Sequence, residues 1–506
     1  MIRTAGISEN EQPAESSGRA ESQGAPSGSP PAPSSTRMPA QPSARSKGKP
    51  RVLRDFVSIL WLTAAIVAAL NSSLMRWDWV LVHMVLLGAL SHAVLVWSEY
   101  FTGKLTHRAP TDASNRAQDA RAILLLVGGA LVVWGFPAAH WALVVVGACL
   151  VATAVVWHAA HIATRFRGGA GGRFRVVARY YLAAACCLPL GATYGVLLAA
   201  EPGDTWRGRL MAAHIAINLF GWIGLTVVGT LLFLWPTVVR SRMAPGAERR
   251  TAHALWFLLV GVVAIATGAT LGTHWLAFAG TLTYAAGIGV WAVTLGYPLR
   301  RKGMRDFAPA SIFAGVCWAG IILVWLAVFM ALGGWDTVSD HLYQIGFVAL
   351  WGFALQLLFG ALSYLMASAM GGAPSVRRAM DTVFNWGATF RIAVPNLALL
   401  AWLAPTPFPG WFAVLGIATL ASFVPLMFIG AFAGVHAKQQ LRATGSHAGT
   451  STTNLTAAGT SATGPRTNPT GPHTANPNAT GSTGGVADGA PGTAPTPPHG
   501  IVKGEQ

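Results

Sequence analysis

Residues 210–239 read LMAAHIAINLFGWIGLTVVGTLLFLWPTVV, thirty positions without one Asp, Glu, Lys or Arg. A soluble domain does not bury a helix that long, whereas a bilayer needs only about 20 apolar residues in a row. Arg207 and Arg209 precede the run, Pro236 falls near its end, and Arg240 and Arg242 follow. One imidazole, His214, sits near the start, with Asn218, Gly221, Trp222 and Gly229 beyond it. The run therefore predicts a membrane-spanning helix carrying one titratable group, and what that group does depends on whether the arrangement recurs.

Composition places the whole chain in the same class. Hydrophobic residues make up 53% of the 506 positions and charged ones only 10%. Long uncharged runs recur between residues 53 and 436, as in polytopic membrane proteins. A net charge of +17 invites a nucleic-acid reading. The Lys and Arg residues, however, fall in short clusters between apolar runs, which is the positive-inside pattern, and no nucleic-acid partner is expected. The four cysteines, Cys149, Cys186, Cys187 and Cys317, lie inside apolar runs without disulfide or zinc-site spacing, and read as small buried residues. Residues 1–52 are rich in Pro, Ser and Ala and lack an apolar signal core, so a disordered cytoplasmic tail is expected there. A second such tail is expected over 441–506.

Between the tails, residues 53–440 divide into twelve expected spans: 56–74, 79–100, 120–138, 141–163, 177–199, 208–238, 252–272, 275–298, 308–332, 338–368, 386–404 and 411–436. One alternate set of loops holds twenty Lys and Arg, including Arg165, Arg167, Arg173, Arg175 and Arg179, and the other holds only Arg76, Arg207 and Arg209. The first set is assigned to the cytoplasm, which puts both termini inside.

The arrangement around His214 does recur. Spans 2, 6 and 10 each carry a His near the outer end: His83 in WVLVHMVLLG, His214 in LMAAHIAINLFG and His341 in VSDHLYQIGF. They stand 131 and 127 residues apart. The outer turns after spans 3, 7 and 11 repeat in step as His140-Trp141, His274-Trp275 and Gly410-Trp411. Two markers returning every four helices predict three pseudo-repeated four-helix units. Helical spacing puts His214, Asn218, Gly221, Leu225 and Gly229 on one face of span 6, and His341, Ile345, Val348, Gly352 and Gln356 on one face of span 10. Such a glycine face admits either a flat ligand or a closely packed helix. Imidazoles at one depth in a membrane need partners, which could be one another, water, a metal ion or haem iron.

Twelve helices in three fours, with histidines on spans 2, 6 and 10, resemble subunit I of haem-copper oxidases and nitric oxide reductases, and the haem-bearing NnrS membrane proteins. The stretch AHIAINLFGWIGLTVVGTLLFLWPTVVRSRM looks like the membrane portion of bacterial proteins known as copper oxidases or nitrite reductases. The resemblance covers about 53–440. It implies His83 and His341 as axial ligands of a haem b, and His214 as a further metal or haem ligand, with copper the second candidate metal. It also implies a redox partner such as a cupredoxin or a cytochrome. The chain departs from the oxidases in two places: span 7 offers only His253, at its cytoplasmic end, and span 10 only His341. A three-His copper site beside a high-spin haem is therefore not expected, and neither is oxidase-type oxygen reduction.

The resulting expectation is a haem-binding membrane protein for electron transfer, or for nitrogen-oxide or copper redox chemistry at the outer face. The alternatives are a cofactor-free transporter and a structural membrane subunit that docks a cupredoxin-type partner. Among the remaining residues, His92 is half a turn out of phase with His83 and serves only as a substitute ligand. His140 and His274 belong to outer turns, and His158, His161, His253 and His436 to the cytoplasmic surface. Arg391 is expected to snorkel to the cytoplasmic face. Tyr343 is read as interfacial, and Trp77, Trp79, Trp206 and Trp335 as an outer aromatic belt.

Overall fold

The computed structural model describes residues 56–71, 76–167, 171–369 and 373–457, and every regular element among them is a helix. The expected tail at 1–52 and residues 458–506 of the second tail lie outside the described residues. In chain order the helices are α1 (Val57–Leu70), α2 (Trp77–His83, Met84–Leu90 and Ser91–Leu105), α3 (Asp112–Gly135), α4 (Trp141–Arg165) and α5 (Arg175–Ala199). Then come α6 (Asp204–Ile215, Ala216–Gly224 and Leu225–Val238), α7 (Ala247–Leu271), α8 (His274–Lys302) and α9 (Phe307–Asp340). The last are α10 (Leu342–Val348, Ala349–Leu355 and Gln356–Ala369), α11 (Pro374–Asn385), α12 (Ala388–Leu403), α13 (Pro409–Ala421) and α14 (Phe423–Ala457).

Ten helical stretches among the described residues are long and apolar enough to cross a membrane. Two of the expected spans form shorter helices, α1 with 14 residues and α12 with 16. At a rise of about 1.5 Å per residue these reach roughly 21 and 24 Å, short of a hydrocarbon core of about 30 Å. At the other end, α14 continues past the boundary expected at 440 to Ala457. Extending an existing helix adds a hydrogen bond for each residue fixed, so even a Thr- and Gly-rich sequence can follow an apolar one.

The middle segments of α2, α6 and α10, Met84–Leu90, Ala216–Gly224 and Ala349–Leu355, are π-helical. The π form is rare and occurs mostly as a local widening of an α-helix, frequently at functional positions. Here the three segments begin 132 and 133 residues apart, each a few residues after the outer histidine. The same helices form the centre of the molecule. Their spanning windows are 56%, 78% and 72% buried, against 50% or less for the other seven. The indole of Trp222 on α6 donates to Ser91 Oγ on α2 at 3.0 Å, and the π segments of α2 and α10 pack together. Below these contacts, α2, α6 and α10 enclose a small cavity of about 70 Å³, lined among others by Val94, Ser98, Thr226, Thr230, Leu358 and Leu362.

Each central helix also leans on the helix that precedes it. A side chain at Gly88 would strike Trp61 of α1, one at Gly221 would meet Cys187 of α5, and one at Gly352 would meet Trp318 of α9. The glycines are therefore required by close interhelical approach.

Candidate functional site

The structure brings two of the three candidate imidazoles together. His83 is the last α-helical residue before the π segment of α2, and His214 stands two residues before that of α6. Their ring centroids lie 6.3 Å apart, with the planes inclined by 31°. The Nδ1 atom of His83 is 2.9 Å from the carbonyl of Trp79, and Nδ1 of His214 is 2.9 Å from the carbonyl of Gly191 on α5. A carbonyl can only accept, so both Nδ1 atoms carry the proton and both Nε2 atoms are left with a lone pair. Asn218, one turn on, donates to the backbone carbonyl of His214 at 2.8 Å. Trp79 stacks on His83 at 3.8 Å and on Phe136 at 4.2 Å, so this indole packs against the ligand candidate.

His341 stands apart from this pair. It forms the turn between α9 and α10, its Nδ1 lies 2.8 Å from the carbonyl of Thr337, and its ring stacks on Phe329. The helix that leads into it, α9, is kinked at Gly334, whose φ is +62° and which packs beside His274. Among the described residues no group of three or more His, Cys, Asp or Glu side chains is placed to hold a metal ion. Three imidazoles around one metal are accordingly not what the fold assembles.

The glycine faces have a different destination from the open one. On α6, Asn218 lies against Gly191, Gly221 against Cys187 and Gly229 against Tyr180, all on α5. On α10, Gly352 meets Trp318 of α9, and Gln356 exchanges two hydrogen bonds with Asn396 of α12 at 3.0 and 2.9 Å. The spacing groups these residues correctly, but their room is filled by helix packing.

A second polar cluster lies toward the face that carries the basic loops. Glu99 of α2 is 3.2 Å from Arg121 of α3 and 2.8 Å from Nε2 of His161 on α4, and its other oxygen is 3.9 Å from Nδ1 of His158. Nε2 of His158 lies 2.7 Å from Ser98 Oγ. Arg121 is fully buried and sits over the Trp157 ring. The expected surface placement of His158 is thus overturned, and His161 keeps only 17% of its side chain exposed. The physical cause is Glu99, a carboxylate within a spanning helix that must be paired to be buried. A charged residue inside an apolar run was the sequence signal available, next to the last position of the span expected at 79–100.

Several smaller expectations also change. Arg391 is buried rather than snorkelling: it donates to the carbonyl of Phe384 at 3.0 Å and lies over the rings of Phe307 and Phe423. It thereby caps the end of α11, whose last carbonyls have no partner within the helix. Cys149, Cys186 and Cys317 are exposed on the helix bundle instead of buried, and Cys187 is half-buried. His92 is buried, while His253 and His436 are exposed as expected. Tyr343 is 60% exposed and stacks on Phe347. No protein-family model and no curated protein matches the chain.

Proposed function

We propose that this chain is a twelve-span membrane protein of three four-helix units, and that His83 and His214 hold a redox-active haem in its outer half. The observation that supports it is the neighbouring pair of imidazoles, 6.3 Å apart at their centroids, each tied to a carbonyl through Nδ1 and so keeping a lone pair on Nε2. An anchored Nδ1–H fixes the ring and raises the basicity of the other nitrogen, as in metal-ligating histidines generally. Donor count favours haem iron over a bare ion. A copper(II) ion asks for a tetragonal set of N and O ligands, whereas haem brings its equatorial nitrogens and needs only axial partners. His83 and His214, 6.3 Å apart at their ring centroids, would be the residues that hold the iron. The macrocycle would have to lie away from the glycine faces, which α5 and α9 fill.

The three-unit reading rests on the repeats of outer histidine, π segment and packed glycine, each at a step near one third of the membrane domain. On this reading His214 takes the place beside His83 that the resemblance gave to His341. When bound, haem b supplies one-electron chemistry, and the protein's share is to position it near the outer face for a cupredoxin or cytochrome. The chain's location in a bacterial plasma membrane, with both termini cytoplasmic, belongs to the same proposal and rests on the asymmetry of Lys and Arg between loops.

The test is a visible absorption spectrum of the purified protein. A strong haem band is expected in the wild type and in His341→Ala, with loss in His83→Ala and in His214→Ala. Loss in His341→Ala with retention in His214→Ala would restore the axial pair implied by the resemblance. A colourless protein that takes up no added haem refutes the cofactor.

A further inference from the structure

The cluster around Glu99 is independent of the imidazole pair and lies in the other half of the molecule. It forms a line with two ends. One end is His161 of α4, partly exposed four residues before Arg165 at the basic face. The other is Ser98 of α2, which lines the cavity between α2, α6 and α10. Between them stand the Glu99 carboxylate and the His158 ring, 91% and 96% buried.

Hydrogen-bond direction shows where a proton belongs. Ser98 Oγ donates to the carbonyl of Val94 at 2.6 Å, so toward His158 it accepts, and Nε2 of His158 carries hydrogen. The neutral ring then turns a bare Nδ1 toward a carboxylate oxygen 3.9 Å away, acceptor facing acceptor. This Nδ1 is buried and has no hydrogen-bond partner. A proton there would convert the mismatch into a charge-assisted contact. Arg121 neutralises Glu99 from α3, and its Nε and Nη1 are also buried without acceptors. A carboxylate held between two imidazoles, with an arginine counter-ion, inside a membrane bundle has the composition of a proton relay.

We propose that His161, Glu99 and His158 form a proton-transfer chain from the basic face to Ser98 on the wall of the central cavity. A proton taken from water at Nδ1 of His161 releases the proton on its Nε2 to Oε1 of Glu99. The carboxyl group turns and passes a proton to Nδ1 of His158, across a gap that a ring rotation or one water closes. Glu99 is again a carboxylate beside Arg121, and His158 is an imidazolium donating through Nε2 to Ser98. The charge of one proton has moved inward, and nothing else is consumed. The cavity has room for a water or two on a largely apolar wall where Ser98, Thr226 and Thr230 supply the hydroxyls. Ser98 passes the proton on by turning its own hydrogen from the Val94 carbonyl to that water.

Solid-state NMR of isotope-labelled histidine in the full chain, reconstituted in lipid vesicles, tests this. His158 is assigned by difference against His158→Gln. In the wild type the hydrogen on its ring is expected to exchange rapidly with bulk water. Glu99→Gln and His161→Gln are expected to slow that exchange by about a hundredfold, the lower end of what a positioned proton carrier contributes. Glu99→Asp keeps a carboxylate and is expected to restore most of it. Ser98→Ala is expected to free the His158 tautomer without slowing entry from His161. Two results overturn the proposal: a His158 ring hydrogen that does not exchange with bulk water, or one that exchanges as fast in His161→Gln as in the wild type.

Discussion

At the residue scale, the fold decides what each polar side chain means by what it faces. Arg391 and Arg121 both lie in helices that begin near the basic face, where a long side chain ordinarily reaches water. Both are buried instead, Arg121 against Glu99 and Arg391 against the open carbonyls that end α11. Truncating Arg391 would leave the Phe384 carbonyl without its donor and remove a cation from between two aromatic rings. Arg391→Ala is therefore expected to destabilise the protein by about 2 kcal/mol, the range for a buried hydrogen bond to a charged group. A snorkelling arginine would cost no more than about 0.5 kcal/mol on removal, as at other surface sites. Thermal unfolding in detergent, compared with an exposed control such as Arg378→Ala, separates the two.

At the scale of elements, the π segments are the feature that helical periodicity does not announce. A π turn accommodates one extra residue, so the helix on either side keeps its own face while the middle widens. In α2, α6 and α10 the widening falls where a glycine meets the preceding helix. Deleting one residue within such a segment, for example Leu350 of α10, should restore an ordinary α-helix with both flanks still in register. Deleting one from the regular α8, such as Gly289, turns everything beyond it by about 100°. The first variant is expected to purify as a monodisperse protein and the second to aggregate. Equal loss of folded protein in both would mean that the π segments do not mark inserted residues.

For the whole molecule, the open question of architecture is how the two short helices sit in the bilayer. α1 and α12 are too short to cross without local thinning, which costs fractions of a kcal/mol per Å of mismatch. The twelve-span arrangement predicts that a cysteine at Thr406, beyond α12, reacts with an impermeant thiol reagent from outside the cell. A cysteine at Thr382 of α11 should react only from inside. Labelling of both from the same side would leave α12 lying within one leaflet. Either residue is compatible with substitution, since the Thr382 hydroxyl bonds only within its own helix and Thr406 sits in a turn.

How much of this was legible beforehand follows from the range of the forces involved. Hydrocarbon demands a run of apolar residues and forbids unpaired backbone, both local properties, so the helical membrane class could be read directly from stretches such as 210–239. The step near one third of the membrane domain was also visible, because His83, His214 and His341 mark it in the chain. What the sequence could not convey is which neighbour each helical face meets. Gly221 and Gly352 left a flat ligand and a packed helix equally open, and packing fills them, while His341 stands apart from His83 in a turn of its own. Glu99, an unremarkable letter near the end of a span, became the centre of a buried cluster. Those outcomes depend on packing between residues far apart in the chain, where a burial cost of several kcal/mol leaves a charge no choice but to find its partners.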